Sequence, residues 1–337
     1  MNPSFSDAGA VRLSHWGVIR AQGAEAASFL QGQLTNDVAT LDSSHARLAG
    51  FCSAKGRLQA SFLVWKPAAD ELLLACSASV LPATLKRLSM FVMRARCKLS
   101  DATGDLGLWG LMGEAARGPL RGIEPGQTRV DEGATLIRLA DADGASRCLL
   151  VLAADAAVTA ATSSTSSTSS MSSTPAHARP VALSALPAMS LDAWRLGEVR
   201  SGIPVIEAAT VDQFVPQMLN YDIVGGVDFQ KGCYPGQEVV ARSHYRGTVK
   251  RRMFLFEVDA PAAAGQEVFH SADAGQPAGM VVNAAPHSQG GGTSALVEVK
   301  LATLTGGSLH LGTPTGATLR RAELPYAVLT DAAALIS

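Results

Sequence analysis

The sequence predicts an α+β body followed by a smaller all-β domain. Helical and strand periodicities alternate through the first half of the chain, and short apolar runs separated by Gly, Pro and Asn fill the part beyond Gly247. The change of texture places a domain boundary near residue 248, dividing 1–247 from 248–337. With 337 residues, 47% hydrophobic and 17% charged, the chain has apolar surface for more than one packed unit and is no disordered polymer.

Taken in order, Ala24–Leu34 sets Ala26, Phe29, Leu30, Gln33 and Leu34 on one helical face. Leu58–Trp65 alternates Leu58, Ala60, Phe62 and Val64 as a strand does, and Glu71–Cys76 is a short apolar strand. Ser79 offers an N-cap with Pro82 tolerated in the first turn, and Leu81, Leu85, Leu88 and Val92 form the helical stripe that follows. The Ser/Thr-rich segment Thr162–Pro175 has almost nothing to bury and reads as a flexible loop that interrupts the body. Leu191–Val199 then reads as a helix, stopped where Gly202 and Pro204 forbid continuation. Beyond the boundary, Arg252–Val258, Gly279–Asn283, Leu296–Leu301 and Ala317–Arg321 have the spacing of a small β-barrel or sandwich.

A formal net charge of −1 gives none of the global basic field of a protein held by nucleic-acid phosphates, so no strong direct nucleic-acid binding is expected. MNPSFSDAGAVRLSHWG (1–17) lacks a charged-then-apolar leader, and no apolar run reaches about 18 residues. The chain therefore reads as cytoplasmic, with no membrane partner. Five scattered cysteines without a C-x-x-C pair argue against a disulfide framework or a self-contained zinc site. Cys52, Cys76, Cys97 and Cys148 read as small buried hydrophobes, and Trp16, Trp65, Trp109 and Trp194 as core, one of them able to stack on a flat ligand.

KGCYPGQE (231–238) concentrates the chemistry. Cys233 follows Lys231 by two residues and precedes Gln237–Arg242, which reads as a helix; a cation and a helix N-terminus both favour thiolate. Gly232 and Gly236 permit backbone conformations, or close ligand approach, that other residues forbid. Gln237 and Glu238 can hydrogen-bond a polar ligand, while Tyr234 and Pro235 complete the turn. The other reading of the same residues is a tight turn around a buried thiol. His244 reads as surface or structural.

KGCYPGQEVVAR closely resembles the signature of the YgfZ-type folate-binding proteins, involved in iron–sulfur protein maintenance and tRNA modification, within the glycine cleavage T-protein (aminomethyltransferase) superfamily. FLQGQLTNDV (29–38), KGRLQASFLVW (55–65), RSGIPVIE (200–207), the run 213–247 and GMVVNAA (279–285) extend the resemblance over nearly the whole chain. It implies a body of two intertwined subdomains and a C-terminal β-barrel around a central hole that holds tetrahydrofolate. It makes Cys233 the functional thiol, beside Lys231, Gly232, Tyr234, Gly236, Gln237 and Glu238. Folate contacts are expected at Asn36, Asp37, Arg57, Arg200 and Arg242, although Asn36–Asp37 equally forms a turn and Arg57 a solvated strand flank. Arg242, His244, Arg246, Lys250, Arg251 and Arg252 read as a basic rim or as a guide for a folate tail, a partner protein or RNA.

Two departures from the aminomethyltransferases stand out. Arg200 occupies the slot of a folate-holding glutamate, and LLLACSASV (72–80) offers no carboxylate where those enzymes keep an aspartate. An arginine stays protonated and cannot act as a base. The resemblance then implies a folate-dependent accessory protein for iron–sulfur assembly or repair, partnered by client or assembly proteins. Cys233 is a transient iron ligand in a shared cluster on this reading. The alternatives are a one-carbon transferase and a non-catalytic folate-binding scaffold.

Overall fold

The computed structural model describes residues 8–131, 133–154, 183–245, 249–288 and 290–328. The Ser/Thr segment lies outside them. The chain opens with β1 (Gly9–Arg12), β2 (Trp16–Gln22), α1 (Ala26–Gln31), β3 (Ala46–Cys52), β4 (Leu58–Ala68) and β5 (Glu71–Ser77). It continues with α2 (Leu81–Val92), β6 (Lys98–Asp101), β7 (Leu106–Met112), α3 (Glu114–Arg117), β8 (Thr128–Asp131), β9 (Ala134–Ala142) and β10 (Ala145–Ala153). Helices α4 (Leu191–Arg200) and α5 (Gln237–Tyr245) follow, and then β11 (Arg251–Val258), β12 (Glu267–His270), β13 (Asp273–Pro286), β14 (Thr293–Lys300), β15 (Leu309–Leu311) and β16 (Thr318–Ala322).

The body is two antiparallel sheets that share the chain between them. One has the order β1-β7-β10-β9-β8, the other β3-β4-β5-β2-β6. The chain leaves the first sheet after β1, builds the second, and returns with β7, so the two halves are intertwined. Strand alternation explains how both faces are buried. On β10, Leu149 and Val151 face the inter-sheet core with Val18, Leu73, Ala75 and Trp194, while Cys148 and Leu150 face an outer layer with Ala116 of α3. On β5, Leu72 and Leu74 turn to the opposite side, against Leu30 of α1 and Leu81 and Leu88 of α2.

The C-terminal strands close into a barrel of order β11-β14-β13-β12-β15-β16, which settles barrel against sandwich. Phe254, Phe256 and Val258 of β11 fill it, and the alternate Met253 and Leu255 pack on Phe214, Tyr221 and Tyr234 of the body. Two helix starts differ from the pattern-based reading. Ser79 does not cap α2: its hydroxyl oxygen accepts from Ala208 N at 3.1 Å, which anchors the 208–210 turn instead. Ser190, which the pattern did not single out, does cap α4 by accepting from Ala193 N.

The segment between α4 and α5 holds two short 3-10 helices, Ala208–Thr210 and Pro216–Leu219, and otherwise irregular chain, yet it fastens three units together. Leu58 N donates to Phe214 O at 2.8 Å, Ile206 N to Ser61 Oγ at 2.8 Å and Val205 N to Asn283 Oδ1 at 2.9 Å. Arg252, buried at 7% exposure, forms a two-pronged pair with Asp222 at 2.6 and 2.9 Å. This rigid strap carries the chain to the cysteine loop. No helix among the described residues is long and apolar enough to cross a membrane.

Candidate functional site

A cavity of about 300 Å³ lies between the two sheets, closed on one side by α4 and the 203–205 segment. Trp16, Leu48, Phe62, Cys76, Leu139 and Tyr221 are among the side chains that line it. Its polar floor is Glu198 and Arg147. Glu198 is 14% exposed and accepts three hydrogen bonds, from His15 Nε2 at 2.9 Å, Trp16 Nε1 at 2.9 Å and Trp194 Nε1 at 2.8 Å. Burial alone would raise its pKa; the hydrogen bond and electrostatic attraction of His15 and the positive charge of Arg147 outweigh that and hold it below the usual carboxylate range. Arg147 stacks over Trp194 at 4.5 Å, and burial lowers its pKa to about 10. Among the described residues its guanidinium makes one long hydrogen bond, 3.4 Å to Ala140 O, and its buried Nε has no partner there.

Glu198 is the carboxylate that motif reading missed. Arg200, two residues on, was the expected folate contact, but two steps along a helix rotate the side chain by about 200°. Glu198 therefore faces the cavity while Arg200 faces the barrel. There Arg200 bonds Asp143 at 2.6 Å, Glu257 at 2.9 Å and Ser294 at 3.1 Å, and it does not line the cavity. The signal available was Trp194 and Glu198 at i, i+4, which puts an indole N–H and a carboxylate on one face. Arg200→Ala should lower thermal stability by about 1–3 kcal/mol, because Glu257 loses a partly buried cation, and leave binding in the cavity unchanged. Thermal melts and ligand titration of the variant check this. The wall formed by residues 72–80 contributes Cys76, whose pKa burial pushes up to about 12, so that wall has no acid.

A second, open depression adjoins the cavity and shares Arg47 and Gly225 with it. Asn36, Asp37, Val227, Asp228, Phe229 and Gln230 complete its lining. Asn36 is buried and consumed by the fold: Nδ2 donates to Leu48 O and Gly225 O, both at 2.7 Å, and Oδ1 accepts from Asp37 N. Asp37 accepts from Ala39 N at 3.1 Å and from the Thr40 hydroxyl, and pairs with Arg47 at 3.4 Å. Burial opposes ionisation of Asp37, but the Thr40 and Ala39 donors and Arg47 prevail, and its pKa is lowered. Both residues thus form the expected turn and line the depression rather than the cavity.

The chain runs from Gln230 straight into the cysteine loop. Cys233 is exposed, unlike Cys52, Cys76 and Cys148, which are buried, and Cys97, half-buried; the tight turn around a buried thiol is excluded. Lys231 gives its hydrogen bonds to backbone carbonyls and none to the thiol, although Cys233 lies within reach of its charge. The lysine is buried, donates to Gln31 O and Leu34 O at the end of α1, and lies 5.0 Å from the Tyr234 ring centre. Burial lowers its pKa to about 8, against the pull of Asp37 and Asp228. Its work is to lock this loop onto the 31–34 turn. Gly236 meets the 53–57 turn back to back with Gly56, at φ +80° and +70°. Gly232 has open space around it, which leaves the thiol approachable.

The remaining expected residues scatter. Tyr234 is buried in the layer between strap and barrel, Gln237 is half-buried and Glu238 exposed in the first turn of α5, and none of 231–238 lines the cavity. Arg57 is spent on Asp212 O and Gln213 O, and exposed Arg242 lines neither pocket. The basic cluster divides as well: Arg252 is buried with Asp222 and Arg251 pairs with Glu298, while Lys250 stays exposed. The side chain of His244 and all of Arg246 lie outside the described residues. Of the tryptophans, Trp65 and Trp194 are core, Trp109 packs half-buried on the outer layer, and Trp16 borders the cavity.

An interleaved two-sheet body with a cavity between its sheets, and a closed barrel beside it, define the aminomethyltransferase T fold. The solved aminomethyltransferase T of the glycine cleavage system from Bartonella henselae superposes with a TM-score of 0.70, covering 96% of this chain and 88% of that one at 17% identity. Residues 5–143 match the GCVT N-terminal domain family. Among curated relatives, the tRNA-modifying protein YgfZ of Colwellia psychrerythraea is 31% identical over 244 residues, 72% of this chain and 70% of the relative. That of Edwardsiella ictaluri is 30% identical over 289 residues, 83% of this chain and 81% of the relative. The chain belongs to the YgfZ family of tRNA-modifying proteins.

Proposed function

We propose that the chain is a folate-binding accessory protein that supports assembly or repair of iron–sulfur clusters, with Cys233 as its working thiol and a cluster-dependent tRNA-modifying enzyme among its clients. The observation that carries the reading is the pairing of two features: a mainly apolar cavity with an acid–guanidinium floor, and an exposed thiol on a braced loop next to the depression that adjoins it. The cavity volume of about 300 Å³ falls at the lower end of small-molecule sites, roughly 300–1,000 Å³. A reduced pterin brings N–H donors and a carbonyl acceptor on a flat ring. Glu198 and the under-bonded Arg147 supply the complement, and Trp16 and Phe62 supply apolar wall. When bound, tetrahydrofolate would supply one-carbon chemistry at N5 of its ring and N10 of the adjoining bridge.

Cys233 gives a metal one sulfur ligand. Clusters take about four protein ligands, and no group of three or more His, Cys, Asp or Glu among the described residues is placed to hold a metal. A cluster is therefore shared with a client, the thiol acting as transient ligand or exchange partner. Glu198 lends some weight to the transferase alternative, since it puts a carboxylate in the cavity. Three donors and a lowered pKa make it a poor proton acceptor near neutrality, so the accessory role is preferred.

The test is rescue of a strain lacking its own copy of this protein, scored by the product of a cluster-dependent tRNA-modifying enzyme. Wild type restores the modified nucleoside, and Cys233→Ala at matched expression does not. Equal rescue by both removes the thiol from the mechanism.

A further inference from the structure

Helix α2 ends in an apolar tip that the rest of the described chain leaves bare. Met90, Phe91 and Met93 are 62%, 41% and 87% exposed. The helix buries Leu81, Thr84 and Leu88, packs on β2 and β6 and sets Val92 against the core, so Met90 and Phe91 lie on the outward side of its last turn. Met93 sits at φ +41°, a backbone region that side chains with a Cβ avoid, and such strain persists only where the surroundings or a function require it. Around the tip stand Lys86, Arg87, Arg94, Arg96 and Lys98, all exposed. Their single carboxylate partner among the described residues is Glu25, 3.6 Å from Arg96. Methionine, phenylalanine and arginine are the residue types that protein interfaces concentrate, and methionine adapts to irregular sockets.

We propose that this tip docks an acidic protein surface, an apolar socket ringed by carboxylates. Charge complementarity decides between occupants. Extended polyanions such as RNA or an anionic bilayer feel the field of the whole molecule, and a net charge of −1 supplies little attraction. A compact acidic patch feels only the local cations, within about 8–10 Å at ordinary salt. The three apolar side chains occupy the last helical turn and the residue just past it, too short a face to anchor in lipid but the size of a hot spot in a protein contact. This surface is separate from the cavity and from Cys233, and the proposal does not depend on folate.

The probe is a fluorescein-labelled helical peptide with one leucine face flanked by glutamates. Its controls are the same peptide with glutamines, bulk tRNA, and phosphatidylcholine vesicles containing phosphatidylglycerol. The full chain is expected to bind the glutamate peptide, more weakly as salt rises. Met90→Ser/Phe91→Ser/Met93→Ser and Arg87→Glu/Arg94→Glu should each cost about tenfold in affinity, with unchanged thermal midpoints. No binding, equal binding of the glutamine peptide, or indifference to both variants overturns the proposal. Tighter binding of tRNA or of the vesicles that the same variants abolish overturns it in favour of those polyanions.

Discussion

Glu198→Ala should destabilise the protein by about 3 kcal/mol or more and abolish binding of tetrahydrofolate. Removing one partner of a buried pair costs about 3–5 kcal/mol because the other is left uncompensated. Here the loss strands the N–H groups of Trp16 and Trp194, the Nε2 of His15 and the buried charge of Arg147 together. Glu198→Gln separates charge from shape: it retains an acceptor, so the stability loss shrinks, while the floor of the cavity loses its negative charge. The pH dependence has a definite sign. A carboxylate whose folded pKa lies below its unfolded value of 4.5 contributes stability above that value and loses it as pH falls through the folded pKa. Chemical denaturation from neutrality to acid should therefore show a loss of stability below about pH 4.5 that is smaller in Glu198→Gln than in wild type.

Gly236→Ala should cost about 2–5 kcal/mol, the sum of a left-handed backbone penalty of about 1–2 and an overpacking penalty of about 1–3. A Cβ there would stand 2.4 Å from Ser53 O and 2.6 Å from Gly56 Cα, both backbone atoms that cannot swing away. The damage should be local in function as well as in energy. The contact holds the cysteine loop and α5 against the 53–57 turn, so Cys233 should become more mobile and faster to alkylate with iodoacetamide, while the cavity keeps its ligand. Gly232→Ala is the control, because a Cβ at that position meets nothing within 4 Å. Denaturation midpoints and labelling rates of the two variants decide the matter.

The layout of the chain was legible because periodicity and punctuation report directly on burial. Alternation at Leu58–Trp65 and the stop at Gly202–Pro204 needed no partner to be read. The short β12 and β15 escaped notice: a strand of three or four residues in a barrel wall is too brief for a period to register. In the site, KGCYPGQE marked a loop of special chemistry, but residue types alone left an activated thiol and a buried one both open, and only the fold showed Cys233 exposed. The roles of individual charges were not legible, since a charge declares its chemistry but not its direction. Lys231 turned to the carbonyls of α1 and Arg200 to the barrel, and Asn36 was absorbed into the backbone of two segments. Glu198 looked like an ordinary polar helix residue until His15 and Trp16, far away in sequence, closed over it.

The most direct measurement is calorimetric titration of tetrahydrofolate into the purified chain and into Ala140→Trp, which places an indole at the cavity wall. The wild type should bind one equivalent, the filled variant none, and Cys233 should alkylate at the same rate in both. Binding that survives the filled cavity, or no binding by the wild type, would contradict the assignment of a folate site between the sheets.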